Sequence, residues 1–114
     1  MAKEGTETWR GASGRHYQFE IYSKETPFKH IEGNYIFAKR STIGWDAVYI
    51  GEGYLDVRTQ DPKHLACAKR KGFTHYHVHV NTNESNRKYE EKDLIAGNQE
   101  CLVENGGCNK TEDG

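Results

Sequence analysis

The sequence predicts a small α/β (α+β) domain with a central, mostly antiparallel sheet of three to four strands and helices packed against it. Three observations carry that expectation. Short apolar stretches alternate with period two, as half-buried strands do. Two later stretches carry helix start and stop signals. The order of elements, β-β-β-α-β-α, gives a sheet too small to bury itself without helices laid on it. At 114 residues the chain is one domain's worth. Only 34% of its residues are hydrophobic, so the core must be thin. Seven tyrosines help, each burying a large ring behind a polar tip.

Residues 1–14 show no periodicity and read as a flexible lead-in to a single domain over 15–109, with a flexible tail at 110–114. "YQFEIY" alternates: Tyr17, Phe19 and Ile21 face one way, Gln18 and Glu20 the other. "SKETPFKHIEG" is a connector. In "NYIFAKR", Ile36 and Ala38 share one face of a strand while Tyr35, Phe37 and Lys39 share the opposite one. "STIGWD" reads as a loop. "AVYIG" is a third strand, with Val48 and Ile50 on one face and Tyr49 on the other. Pairing of these two strands as an antiparallel hairpin puts Tyr35 and Tyr49 on one sheet face. "EGYLDVRTQ" begins a helix. "DPKHLACAKRKG" holds the clearest helix signals: Asp61 as N-cap, Pro62 at the first helical position, cations in the last turn and Gly72 as the stop. "THYHVHVN" is a fourth strand, and "NESNRKYEEKDLIAG" a second helix ending at Gly97. The remainder is loop.

No stretch resembles a secretory signal or the ~18 consecutive apolar residues of a membrane span. The cysteines, Cys67, Cys101 and Cys108, are odd in number and lack CxxC spacing. They are expected as free thiols of a reducing, cytoplasmic compartment, with a Cys101–Cys108 bridge as the alternative. Net charge is −1, but it is unevenly spread. Residues 28–80 carry eight Lys/Arg against five Asp/Glu, whereas residues from 84 onward carry four against eight. A solvated surface accounts for such asymmetry, and a phosphate-facing patch is the sharper reading. Lys39, Arg40, Lys69, Arg70 and Lys71 are the candidate backbone contacts.

Two constellations bear chemistry. In "RKYEEKDLI", Glu91 precedes Leu94 by three residues and Ile95 by four. If Leu94 and Ile95 pack on the sheet, Glu91 sits about a turn earlier at the buried edge, where it can hold a metal. The same letters also fit a solvated helix face. His75, His77 and His79 share a strand face at period two, which offers either transition-metal donors or a polar sheet face. Tyr35, Tyr49, Arg58 and Glu91 together are the parts that phosphodiester hydrolysis needs. Phenols can orient a water, a guanidinium can stabilise charge on a phosphate, and a carboxylate-bound divalent ion can neutralise a leaving oxygen.

"NYIFAKR", "VYIGEG", "LDVR" and "EEKDLI", in that order, resemble the signature of the GIY-YIG nucleases. The resemblance covers residues 33–109, with Asn34 where an apolar residue is usual and Asn105 or Asn109 at the family's C-terminal asparagine. It implies a GIY-YIG-like fold and a metal-dependent endonuclease acting on DNA, of the repair and recombination or the phage and mobile-element kind. It implies that Glu91 holds one Mg2+ or Mn2+, that Tyr35 and Tyr49 contact the scissile phosphate and the attacking water, and that Arg58 stabilises the transition state. One tyrosine would act as base, with its pKa lowered by Arg58. His64, six residues past Arg58, would stand near the nucleic acid. So short a chain leaves no room for a separate recognition domain, so specificity is expected from DNA structure, a homodimer or a partner protein. The competing expectations are a non-catalytic nucleic-acid-binding module of the same fold and a metal-binding protein built on the histidine strand.

Overall fold

Strand β1 (Gly5–Arg10) pairs with β2 (His16–Ser23), and β3 (Glu32–Ser41) pairs with β4 (Gly44–Tyr54). Helices α1 (Leu55–Arg58) and α2 (Pro62–Arg70), strand β5 (His75–Val80) and helix α3 (Glu84–Gly97) follow. Two 3-10 turns, Gln99–Cys101 and Val103–Asn105, close the chain. This computed structural model describes residues 3–110. The strands form one sheet in the order β1-β2-β5-β3-β4, and every neighbouring pair is antiparallel. The fold is thus α+β with an antiparallel sheet and helices against it.

The sheet has five strands rather than three to four, and the additional one, β1, falls inside the expected flexible lead-in. The reason is physical. In "GTETWR" only Trp9 is buried, so an edge strand of threonine and glutamate forms without any apolar alternation to announce it. The expected loop "STIGWD" shrinks to a two-residue turn, Thr42–Ile43, with Ile43 in solvent at its tip. Of the expected tail, residues 111–114 lie outside the described residues, as do residues 1 and 2.

Each sheet face packs a separate core. On one side Trp9, Phe19, Ile36, Ala38 and Ile50 meet Leu94 and Ile95 of α3. On the other, Tyr35, Phe37, Tyr49, Tyr76 and Val78 meet Leu55, Ala68 and Phe73. The alternation expected of β3 holds. That of β4 breaks at Val48: Phe37 pairs with Tyr49 but Ala38 with Ala47, which leaves Val48 as the extra residue of a β-bulge. Val48 therefore joins Tyr49's face instead of Ile50's.

Helix α2 begins as its sequence predicts. The Asp61 carboxylate accepts from the N–H groups of Lys63 (3.0 Å) and His64 (3.2 Å), Pro62 opens the helix, and Gly72 follows its end with φ +82°. Asn83 caps α3 by accepting from the Asn86 N–H at 2.9 Å.

The cysteines depart from both expectations. Cys67 and Cys108 form a disulfide across 41 residues, and Cys101 is the free, buried thiol. The segment after the last 3-10 turn explains the pairing. The Cys108 N–H donates to the Val48 carbonyl at 2.8 Å, and the Asn109 side chain accepts from Ile50 N–H and donates to Ile50 C=O. The chain is thereby laid along the free edge of β4 at its bulge, and Cys108 enters the α2-side core while Cys101 packs on the opposite face. The reducing compartment was inferred from free thiols and loses that basis. Among the described residues, no helix is long and apolar enough to cross a membrane.

Candidate active site

Tyr35, Tyr49, Arg58, His64 and Glu91 line one cleft of about 530 Å³, together with Glu52, Lys88 and Lys92. The hairpin brings in the tyrosines. Tyr35 stands opposite Gly51, Phe37 opposite Tyr49, and the two phenol rings lie 6.1 Å apart. Gly51 is required by that packing, because a Cβ there would overlap the Tyr35 phenol. Gly53 is required by its backbone, and a Cβ there would also crowd the Arg58 side chain, which can move aside. Its φ is +133°, and a Cβ would sit 2.9 Å from Arg58 Nε. The glycine lets the chain leave β4 for α1 with the Arg58 side chain folded back beside the strand.

His64 projects from α2 and stacks on Tyr49, with ring centroids 4.3 Å apart and planes within 23°. Glu91 arrives from α3. Leu94 and Ile95 are fully buried, and Glu91 itself is only 8% exposed, so the buried-edge reading of this helix holds over the solvated one. Glu90 and Asp93 are buried beside it in ties of their own: Glu90 pairs with His79, and Asp93 accepts from Ser13 and Tyr17. Burial alone would raise the Asp93 pKa, but those hydrogen bonds prevail and hold it below the usual carboxylate range.

Electrostatics correct one expectation. Neither phenol has a lowered pKa. Burial pushes Tyr35 well above the usual tyrosine value and Tyr49 up to about 12, and Glu91 adds to both shifts. Arg58 pulls the other way on each ring and does not win. His64 is shifted down, by burial first and by the nearby cations Arg58, Lys63 and Lys110, against an upward pull from Asp61. Its imidazole is neutral at pH 7, and its Nδ1 is buried without a hydrogen-bond partner.

The cleft carries two carboxylates. Glu52 accepts from Arg87 Nε at 2.9 Å, and Glu91 is the carboxylate that α3 brings to the cleft. Among the described residues, no group of three or more His, Cys, Asp or Glu side chains could hold a metal. Carboxylates in a polar cleft without histidine or thiolate partners gathered around them suit Mg2+ or Mn2+, which keep most of their water, better than zinc.

The other candidates lie elsewhere. Lys39, Arg70 and Lys71 line a separate groove of about 480 Å³ with Asp46 and Glu100. The Arg40 guanidinium sits 4.4 Å over the Trp45 ring. Lys69 is exposed in the last turn of α2. None of these lines the cleft, and His64 alone of the expected nucleic-acid contacts does. The cleft's own lysines, Lys88 and Lys92, escaped the sequence reading although their i,i+4 spacing around Glu91 puts them on one helix face. Glu52, directly after the "YIG" letters, was also missed.

His75, His77 and His79 do share a face, but each is engaged separately. His75 meets Thr74 and Glu4, His77 Nδ1 accepts from Trp9 at 2.9 Å, and His79 pairs with Glu90. The three rings do not converge on a common point for a metal. Asn109 bridges the β4 backbone, and Asn105 donates to the Gln99 carbonyl in the closing turns. No family model matches the chain, and neither does any curated protein or solved structure.

Proposed function

We propose that this cleft hydrolyses phosphodiester bonds of DNA and that the protein is a metal-dependent endonuclease of the GIY-YIG type. One observation carries the reading: two phenols, a guanidinium and a helix-borne carboxylate, drawn from four elements, line one cleft with room for a sugar-phosphate link. Glu91 would hold one Mg2+ or Mn2+, which when bound neutralises charge on the phosphate and the leaving oxygen. Arg58 offers fixed N–H donors to the phosphoryl oxygens as their charge grows. Tyr35 and Tyr49 stay protonated at neutral pH and serve as hydrogen-bond donors that hold the phosphate and orient the water. They are not the base. The neutral imidazole of His64, stacked on Tyr49, is the proton acceptor that the phenols cannot be. Lys88 and Lys92 supply sequence-independent attraction for the backbone.

The test is cleavage of branched, nicked, single-stranded and plasmid DNA in Mg2+ or Mn2+, beside Glu91→Gln. The parent is expected to cut at least one of these, and the variant to be slower by about 10²–10³-fold. Equal cleavage by both proteins overturns the proposal, and tight binding without cleavage by the parent leaves a non-catalytic module.

A further inference from the structure

We infer that Asn34 is a positioning residue: with Asn81 and Arg87 it forms a buried polar lock that sets the height and rotation of α3, and hence the place of Glu91 against the tyrosine pair. This rests on the role proposed for Glu91.

The observation begins with what α3 buries. Its last turns turn Leu94 and Ile95 toward the sheet, but the turns before them present Arg87, Glu90 and Glu91. Apolar packing therefore anchors only one half of the helix. Glu91 sits at the junction, where a small tilt or slide would carry its carboxylate out of the cleft.

The other half is held by hydrogen bonds. Asn34, fully buried in β3, donates from Nδ2 to the Arg87 carbonyl at 3.0 Å. In α-helical geometry that carbonyl is also the acceptor for the Glu91 N–H, four residues on. Asn34 thus grips a backbone group that is a single hydrogen bond from Glu91. Its Oδ1 is taken by Asn81 Nδ2, also at 3.0 Å, which fixes which end of the amide faces the helix. The Arg87 side chain completes the lock. Nε donates to Glu52 at 2.9 Å, one terminal nitrogen pairs with Glu32 at 3.1 Å, and the other donates to the Asn81 carbonyl at 3.2 Å. Asn34 and Glu52 are direct cross-strand partners, so the helix is pinned to adjacent points on the very hairpin that carries Tyr35 and Tyr49.

An apolar residue would fill position 34 at no polar cost. A buried amide is tolerated only when its groups are paired, and even then contributes little net stability. What it adds is a unique arrangement, because a slid helix leaves a buried donor and acceptor unpaired.

Asn34→Val keeps similar bulk, suits a strand and removes both bonds. Three measurements on the full chain read the outcome: Mn2+ binding to the protein alone by electron paramagnetic resonance, kcat and KM for DNA cleavage, and hydrogen exchange of the α3 amides. The variant is expected to melt cooperatively, to bind Mn2+ about 10-fold more weakly, and to lose about 10- to 100-fold in kcat with KM for DNA little changed. Exchange should quicken around residues 90–92 and stay slow at Leu94 and Ile95. Unchanged Mn2+ affinity, kcat and exchange overturn the lock. If Asn34→Val does not fold, Arg87→Lys, which keeps the charge and loses the fork, is read by the same three measurements. Failure of the functional reading looks different: a parent that neither cuts DNA nor binds Mn2+ removes the role of Glu91, and exchange in the variant alone then decides whether Asn34 holds the helix.

Discussion

Tyr35 and Tyr49 face the α2 side of the sheet, and His75, His77 and His79 face the α3 side. Both sets were recognised by period two, and both bring titratable rings to one sheet face. They differ in what covers them. The tyrosine face opens into a cleft at its end, where Arg58 and Glu91 arrive from separate helices. The histidine face is roofed by Trp9, Trp45 and α3, which use up its rings one at a time. The contrast is sharpest between two imidazoles that each have a buried ring nitrogen without a partner, His64 Nδ1 and His77 Nε2. His77 has no exposure at all. Its Nδ1 accepts from Trp9, so Nε2 carries the proton, and the Trp45 ring lies edge-on with its centroid 4.4 Å from that of His77. His64 keeps 28% of its side chain exposed in the cleft. A shared face is necessary for a site, and an uncovered face is what makes it one.

The largest effect that could break this contrast is catalytic. Arg58 is exposed and holds no core position, so Arg58→Ala should retain the melting temperature while cleavage falls by about 10²–10³-fold, or about 3–4 kcal/mol. His77→Gln should lower stability and leave kcat nearly intact. A His77→Gln variant that folds yet loses as much kcat as Arg58→Ala would place the histidine face in the chemistry.

Next in size is the pH dependence of folding. Burial lowers the His77 pKa to about 3, with smaller contributions from His75 and Arg40. Between about pH 6.5 and pH 3 the unfolded chain binds a proton that the folded chain refuses. Stability must therefore fall as pH falls, at about 1.4 kcal/mol per unit. His64 acts with the same sign and less force, since it is partly exposed. Urea unfolding at pH 7, 6 and 5 measures the slope, and His77→Gln should flatten it. A slope that survives the substitution would mean that His77 is not sealed in the core.

The smallest effect sharpens where the proposed DNA substrate would lie. Lys88→Ala and Lys92→Ala should each lower the salt dependence of binding by about one unit in the log–log slope, whereas Lys39→Ala and Arg70→Ala should leave it alone. The opposite pattern would move the nucleic acid from the cleft to the separate groove.

Much of this was legible in the letters. Alternation located β2, β3 and β5, and Asp61, Pro62 and Gly72 bounded α2 because capping is a local event. The shared face of Tyr35 and Tyr49 followed from period two once a hairpin was assumed. Other features left no local trace. Strand β1 buries a single residue, so its partner β2 decides its conformation. The bulge at Val48 is a mismatch between two strands and has no meaning within one. Burial of the phenols, which reversed the expected direction of their pKa shifts, depends on the residues stacked around them from both sides of the hairpin.

By itself the sequence determined most of the elements, the faces of β2, β3 and β5 and the kinds of chemical group available, because these depend on hydrogen bonding and side-chain periodicity within a few residues. Tertiary structure alone decided which groups meet and which are sealed away. It joined Cys67 to Cys108 and left Cys101 buried on the other face, put Lys88 and Lys92 rather than Lys39 and Arg70 beside Glu91, and closed the histidine strand under two tryptophans. Each outcome turns on contacts between residues far apart in the chain, and on the cost of removing a polar group from water, which exists only after a second element covers it.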